Sequence, residues 1–492
     1  MTMKQTIVMA TAFAALTAGM ALAKTDLTIG LQLEPPHLDP TSAAAGAIDQ
    51  VLYSNVFEGL TRFGPDGSVN PGLAESWDIS EDGMTYTFTL RAGVTFHDGT
   101  ALDASDVVFS LDRARAEEST NAQKALFGSI AMVEAVDDTT VKVTLEAPQG
   151  SFLFNMAWGD AVIVAPESIE DIKANPVGTG AFKFVEWKQG DSITLMRNDA
   201  YWGDAPALTE ATFKFISEPT AAFAAMMAQD IDAFYSYPAP ENLTQFEADP
   251  RFTVLAGSTE GETILAINNK ATPFENKMVR QAVTHAIDRQ AIIDGAMFGY
   301  GTPIGTHFAP HNPDYVDLLG NSQYDPDKAK ALLAEAGYPD GFTTTLKLPP
   351  PSYARRGGEI IAAQLRAVGI ETEISNLEWA QWLEEVFRGY DFGLTIVSHT
   401  EPADIGIYAN PTYYFQYENP AFQQLISDLS TENDPAARSE KLKEAQTIIS
   451  EDYVNGYLFQ LALTTVVNSK LNGIWENAPT QAVDLTGVSW SE

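Results

Sequence analysis

Residues 263–291 read TILAINNKATPFENKMVRQAVTHAIDRQA, and within them the chain changes its hydrophobic period. Residues 264–267 form an apolar run of strand length, closed by Asn268, Asn269 and Lys270. The run is too short to carry a helical stripe and is bounded by residues that favour turns. Beyond it Val279, Ala282, Val283, Ala286 and Ile287 recur at helical spacing, while Arg280, Asp288 and Arg289 face elsewhere. A strand, a polar turn and an amphipathic helix make an α/β crossing, and Asn268, Asn269 and Lys270 are its expected hinge.

The text on either side divides around this crossing. Downstream, helices are expected over residues 327–336 (stopped by Gly337), 358–368, 379–387, 419–429 and 435–449. Strands are expected between them at 342–348, 370–374 and 392–397, then at 458–467 and 483–488. This alternation is that of an α/β lobe. Upstream, 27–31 reads as a strand and 48–60 has helical spacing. A strand at 85–90 then lies between the turns Glu81-Asp82-Gly83 and His97-Asp98-Gly99. Asp103 or Ser105 caps a helix with Val107, Val108 and Leu111 on its apolar face. This is an α+β unit. Pro and Gly punctuation over 166–180 marks a return from it, and 185–197 reads as two strands joined at 188–191.

Composition bounds the function. The 492 residues are 45% hydrophobic, enough for several cores. A net charge of −37 repels nucleic acid and anionic lipid surfaces, so nucleic-acid binding is excluded. There is no cysteine, hence no disulfide framework, thiolate metal site or lipid-anchoring cysteine. Lys4, an apolar run over 7–20 and Ala21-Leu22-Ala23 have the pattern of an export signal cut after Ala23. The run is shorter than the roughly 17–25 residues of a membrane span. Removal of residues 1–23 is expected to leave a soluble monomer, without a membrane anchor, in a periplasm.

Four blocks carry a resemblance to a known family. They are AESWDISEDGMTYTFTLRAGVTFHDGTALDASDVVFS (74–110), NPVGTGAFKFVEWKQGDSITLMRNDAYW (175–202), VRQAVTHAIDRQAI (279–292) and YDPDKAKALLAEAGYPDGF (324–342). In that order they resemble the peptide-type, family 5 extracellular solute-binding proteins of ABC importers, which include dipeptide- and oligopeptide-binding proteins. The resemblance implies an α/β, two-lobed periplasmic-binding-protein fold with an additional inserted α+β subdomain in the first lobe. The first-lobe core would comprise 24–55, 175–267 and 461–492, the insertion 56–174 and the second lobe 268–460. It also implies capture of a small-molecule or short-peptide ligand between lobes and delivery to ABC transporter permease subunits, with no cofactor and no catalysis.

Three regions have chemistry suited to a ligand. In 349–359, PPPSYARRGGE, Tyr353 offers a ring and hydroxyl, and Arg355 or Arg356 a guanidinium fork for a carboxylate. The resemblance points the same way, since dipeptide-binding members pair an arginine of this loop with the ligand carboxylate. In 397–415, relatives place an aspartate against the ligand's amino group. Here the text reads SHTEPADIG, so Glu401 and Asp404 are the candidates, with Ser398 and His399 beside them. In the first lobe, Tyr235, Tyr237 and the segment 257–262, with Thr259 and Glu260, can face the cleft. The solute remains open among peptides, opine-like conjugates, glutathione-like compounds and oligosaccharides.

A secreted hydrolase is the alternative from another class. No Gly-x-Ser-x-Gly elbow, phosphate loop or HExxH occurs. His307 and His311 have a chelating i, i+4 spacing, but Gly305, Pro310 and Pro313 make their segment a loop. They read as a structural or solvated pair, and no metal site is expected.

Overall fold

In a computed structural model, which describes residues 24–42, 46–401 and 404–491, the apolar run at 264–267 is the end of a much longer strand. Phe252–Ile267 spans 16 residues and pairs antiparallel with Gly456–Asn468. Its first part pairs Phe252 to Ser258 against Asn468 to Ala462, and its last part pairs Glu262 against Gln460. Between Ser258 and Glu262 the register shifts. The pair belongs to an 11-stranded sheet and joins its two halves.

On one side, Ala233–Phe234 extends the sheet from Gly456–Asn468, and Asp26–Leu31 runs parallel between it and Glu210–Phe215. The hairpin Phe182–Lys188 and Ser192–Arg197 completes this half, with Gly190 at φ 75° in its turn. On the other side Leu394–His399 pairs antiparallel with the long strand, and Phe342–Leu348 and Ile370–Asn376 continue in parallel. Each half is a lobe with its own cores. Leu27, Ile29, Phe182, Ile193 and Phe213 anchor the first. In the second, Val279, Val283, Ile361 and Leu365 cover one face of the sheet. Trp382, Tyr408, Tyr414 and Phe415 belong to a further core, which includes Ile264 and Ala266 of the long strand.

An inserted unit stands on the first lobe. Its four-stranded antiparallel sheet runs Ala74–Ile79, Thr85–Leu90, Thr140–Leu145, Ile130–Asp137, against the helix Ala104–Arg115. Asp103 caps that helix, and Asp106 returns a bond to the Asp103 N–H. The unit is tied down by buried Glu58. Its carboxylate accepts from Thr179 Oγ1 (2.8 Å), Tyr201 Oη (2.8 Å) and Trp202 Nε1 (2.9 Å). Among the described residues no helix is long and apolar enough to cross a membrane. The expected export signal lies outside the described residues.

Several expectations shift, each for a local reason. The helix expected over 48–60 ends early, as Gly46–Leu52, and Ser54 adopts φ 67°. The helix expected over 279–291 is two, Lys277–His285 and Arg289–Met297, because Asp288 leaves helical geometry to accept from the Ala291 N–H. The helix expected from residue 358 begins at Ser352, so Arg355 and Arg356 are helical. No strand forms at 483–488. Instead Asn55 holds that segment, donating to the Val483 carbonyl and accepting from the Leu485 N–H.

The three residues expected as a hinge are bonded within the second lobe. Asn268 donates to the Tyr390 and Phe392 carbonyls, and Asn269 to those of Phe415 and Val454. Both side chains are locked inside the second lobe, while Lys270 reaches Glu418 at its surface. The strand pair passes between the lobes at the register shift instead. Buried Arg280 braces the adjacent helix through the carbonyls of Phe274 (2.9 Å), Tyr453 (3.1 Å) and Asp452 (2.9 Å). Arg280→Met should orphan these acceptors and lower the unfolding free energy by about 3 kcal/mol, measured by urea denaturation.

Candidate functional site

A cavity of about 500 Å³ lies where the lobes and the inserted unit meet. Its floor is the register shift, for Thr259, Glu260 and Gly261 all line it, with Leu461 opposite. A bulge re-aims side chains that a regular ladder would point alternately to either face. Here it is held by Thr259, whose Oγ1 donates to the Leu461 carbonyl and accepts from the Gly261 N–H, and whose carbonyl accepts from Gln460. Gly257 permits the close approach beside it, since a Cβ there would lie 1.9 Å from the Glu476 carbonyl oxygen.

The first lobe adds Asp49, Gln50, Tyr235 and Gln481, the inserted unit Phe63, Trp158 and Asp160, and the second lobe Thr400 and Glu401. Among the described residues, four carboxyl groups therefore line the cavity, and no Lys or Arg does. Asp49 and Asp160 come from different units, and Asp49 packs against Gly159, the residue before Asp160, where a Cβ would sit 2.6 Å from Asp49 Oδ1. Burial and then the charge of Asp160 push the Asp49 carboxyl up to about 8. Burial likewise pushes Asp160 up to about 6. Sequence reasoning missed both, since neither lies in a motif.

Of the residues singled out in the sequence, Thr259, Glu260, Glu401 and Tyr235 reach this cavity. Tyr237 does not line it and is edge-on to Phe234 and Phe246 in an aromatic core. Arg355 donates to the Leu377 carbonyl and to Glu378, both at 3.1 Å. Arg356 lies over the Phe298 ring. Neither arginine lines the cavity. Tyr353 Oη accepts from the Ser398 N–H, which fixes the end of strand Leu394–His399.

The two histidines expected as a structural pair are both buried, with separate partners. His311 Nε2 lies 2.6 Å from Glu260 Oε1, and its Nδ1 2.6 Å from Ser258 Oγ. The set Ser258, His311 and Glu260 has the composition of a hydrolytic triad. It lacks the surroundings of one: Ser258 is buried on the strand, does not line the cavity, and its N–H is spent on Asn477. Its effect is to fix Glu260 at the cavity floor.

His307 Nε2 lies 2.7 Å from Asp404 Oδ1, and His399 Nδ1 3.5 Å from Asp404 Oδ2. Behind them Tyr408 Oη meets His307 Nδ1 at 3.1 Å, and Tyr414 Oη meets His399 Nε2 at 3.0 Å. Each of the three offers an atom within 4.8 Å of the others, a spacing a metal ion can use. The same atoms already serve one another, so the cluster stands as a closed strut beneath Glu401. Burial lowers the His307 imidazole against the pull of Asp404. Burial raises Asp404, but the facing imidazoles outweigh it and hold its carboxyl below the usual range. Asp404 thus faces two histidines and does not line the cavity.

The acid pair sets a pH dependence. A carboxyl whose folded pKa is raised keeps its proton longer in the folded state, so stability falls as pH rises from the ordinary value near 3.8 towards about 8. Asp49→Asn should therefore leave stability unchanged near pH 4 and raise it at pH 8, on the order of a few kcal/mol. Thermal unfolding at both pH values measures this, and an equal change at both would contradict the assignment.

Comparison with known proteins agrees with the geometry. The chain is 35% identical over 380 residues to the glutathione-binding protein GsiB of Pectobacterium atrosepticum, covering 76% of this chain and 73% of that one. HbpA2 from Haemophilus parasuis superposes with a TM-score of 0.86 at 27% identity, covering 95% of this chain and all of the other. The periplasmic binding protein DppA from Helicobacter pylori, in complex with the peptide STSA, gives 0.74 at 26%, covering 95% and 98%. Residues 68–417 match the model of the bacterial extracellular solute-binding proteins, family 5 (middle). The chain belongs to family 5 of the bacterial extracellular solute-binding proteins.

Proposed function

We propose that the protein captures a short peptide or peptide-like solute in the 500 Å³ cavity and presents it, in the periplasm, to the permease subunits of an ABC importer. The observation that carries this reading is that both lobes and the inserted unit contribute to one cavity wall. A solute touching all of them binds the closed arrangement better than the open one, and shifts the equilibrium by that difference. The volume suits a small-molecule site, and Phe63, Trp158 and Tyr235 supply rigid contact area around polar groups. Thr259, Glu260 and Glu401 act as polar contacts, with the Glu401 contact made on closure. Arg355, Arg356, Tyr237, His399 and Asp404 support the lobes and have no direct ligand role in this reading.

The solute class follows from charge. Four lining carboxyl groups without a lysine or arginine favour a solute presenting amino groups. A di-acid such as glutathione, named for the GsiB relatives, would place its carboxylates in an acidic cavity. The protein binds and releases its solute without changing it.

Thermal unfolding in the presence of di- and tripeptides, glutathione, an opine and an oligosaccharide tests the reading. Short peptides should stabilise by about 2.7 kcal/mol at a hundredfold excess over Kd, with the peptide recovered intact by mass spectrometry. Stabilisation by the oligosaccharide alone, or consumption of excess peptide, would overturn it.

A further inference from the structure

One part of the cavity has polar groups left over. Asp160 is 8% exposed, and its Oδ1 has no hydrogen-bond partner among the described residues. Trp158, two residues before it on the same wall, has a buried indole Nε1–H likewise without an acceptor. A buried carboxylate oxygen accepts and an indole N–H donates, so an occupant must bring a donor to one and an acceptor to the other. Asp49 reaches the same spot from the helix Gly46–Leu52, across Gly159.

We propose that Asp49 and Asp160 form a subsite for a cationic group of the solute, an ammonium or guanidinium, with an oxygen of the same solute accepting from Trp158 Nε1. Two carboxylates lining one part of a cavity repel each other and cost desolvation, and a cation between them relieves both. Two ligands from the protein are too few to hold a metal ion, whereas an alkylammonium or guanidinium supplies several N–H donors at once. The rings of Phe63, Trp158 and Tyr235 on the cavity wall suit a cation with an apolar stem. A basic amino-acid residue or the start of a peptide has this pairing of cation and nearby carbonyl. The subsite rests on the peptide reading given above, and it joins the first-lobe core to the inserted unit, apart from the second-lobe contact at Glu401.

Titration calorimetry with Ala-Lys-Ala, Ala-norleucine-Ala and their N-acetylated forms tests the assignment on the wild type and on Asp49→Asn/Asp160→Asn. Losing the cationic group that occupies the subsite should weaken binding roughly 10- to 100-fold in the wild type, the size of a charge-assisted hydrogen bond. The same loss should cost less than about twofold in the double variant, whose fold is checked by circular dichroism and by the single variants Asp49→Asn and Asp160→Asn. An equal charge dependence in wild type and variants would overturn the subsite while leaving peptide binding intact. If no peptide binds, the peptide reading fails. Agmatine then decides the subsite by thermal shift: stabilisation of the wild type but not the double variant upholds it, and no difference overturns it.

Discussion

Everything about this molecule depends on one pair of strands that runs through both lobes and breaks register between them. Phe252–Ile267 and Gly456–Asn468 are bonded at both ends, so the lobes cannot separate, yet the ladder is interrupted between Ser258 and Glu262. A continuous ladder would make the sheet one rigid plate. The three residues at the interruption are also the floor of the cavity. In the proposed reading the interruption is the pivot, so that a solute resting on Thr259 and Glu260 would sit on the axis about which the lobes close.

Around that floor the chemistry is uneven, and the unevenness carries the functional reading. Glu260 is held by His311, and Asp404 by His307 and His399. These buried carboxylates have partners and serve to position. Asp49 and Asp160 line the same part of the cavity without a countercharge among the described residues, which is costly unless one stays protonated or a ligand brings the charge. Glu262, fully buried behind the floor with Oε2 unpartnered, is pushed up by burial and then by Glu260 and Asp404. This balance is the ground for the proposed preference for solutes that present amino groups.

Much of the fold was legible in the sequence, because hydrophobic period and punctuation are local. The strand at 342–348, the helix stopped by Gly337 and the hairpin turned at Gly190 all lie where the pattern placed them. What local pattern could not show was the length of Phe252–Ile267, whose middle carries Thr259, Glu260 and Gly261 because it lines a cavity rather than a core. The site was legible in part. Thr259, Glu260 and Tyr235 stood out as polar or aromatic groups of the first lobe, and Glu401 through the family resemblance. Three prolines before Arg355 and Arg356 suggested a loop there, whereas Pro351 opens a helix that carries both arginines. Asp49 and Asp160 gave no local signal at all, being 111 residues apart and meeting only through the packing of the inserted unit on the first lobe.

The central claim is that a solute held at the register shift draws the lobes together. Small-angle X-ray scattering with and without a saturating peptide, chosen as the strongest stabiliser in thermal unfolding, measures this directly. The radius of gyration should fall on binding, and Gly261→Pro, which stiffens the break, should reduce that fall. A radius unchanged by a peptide bound at saturation would contradict the account.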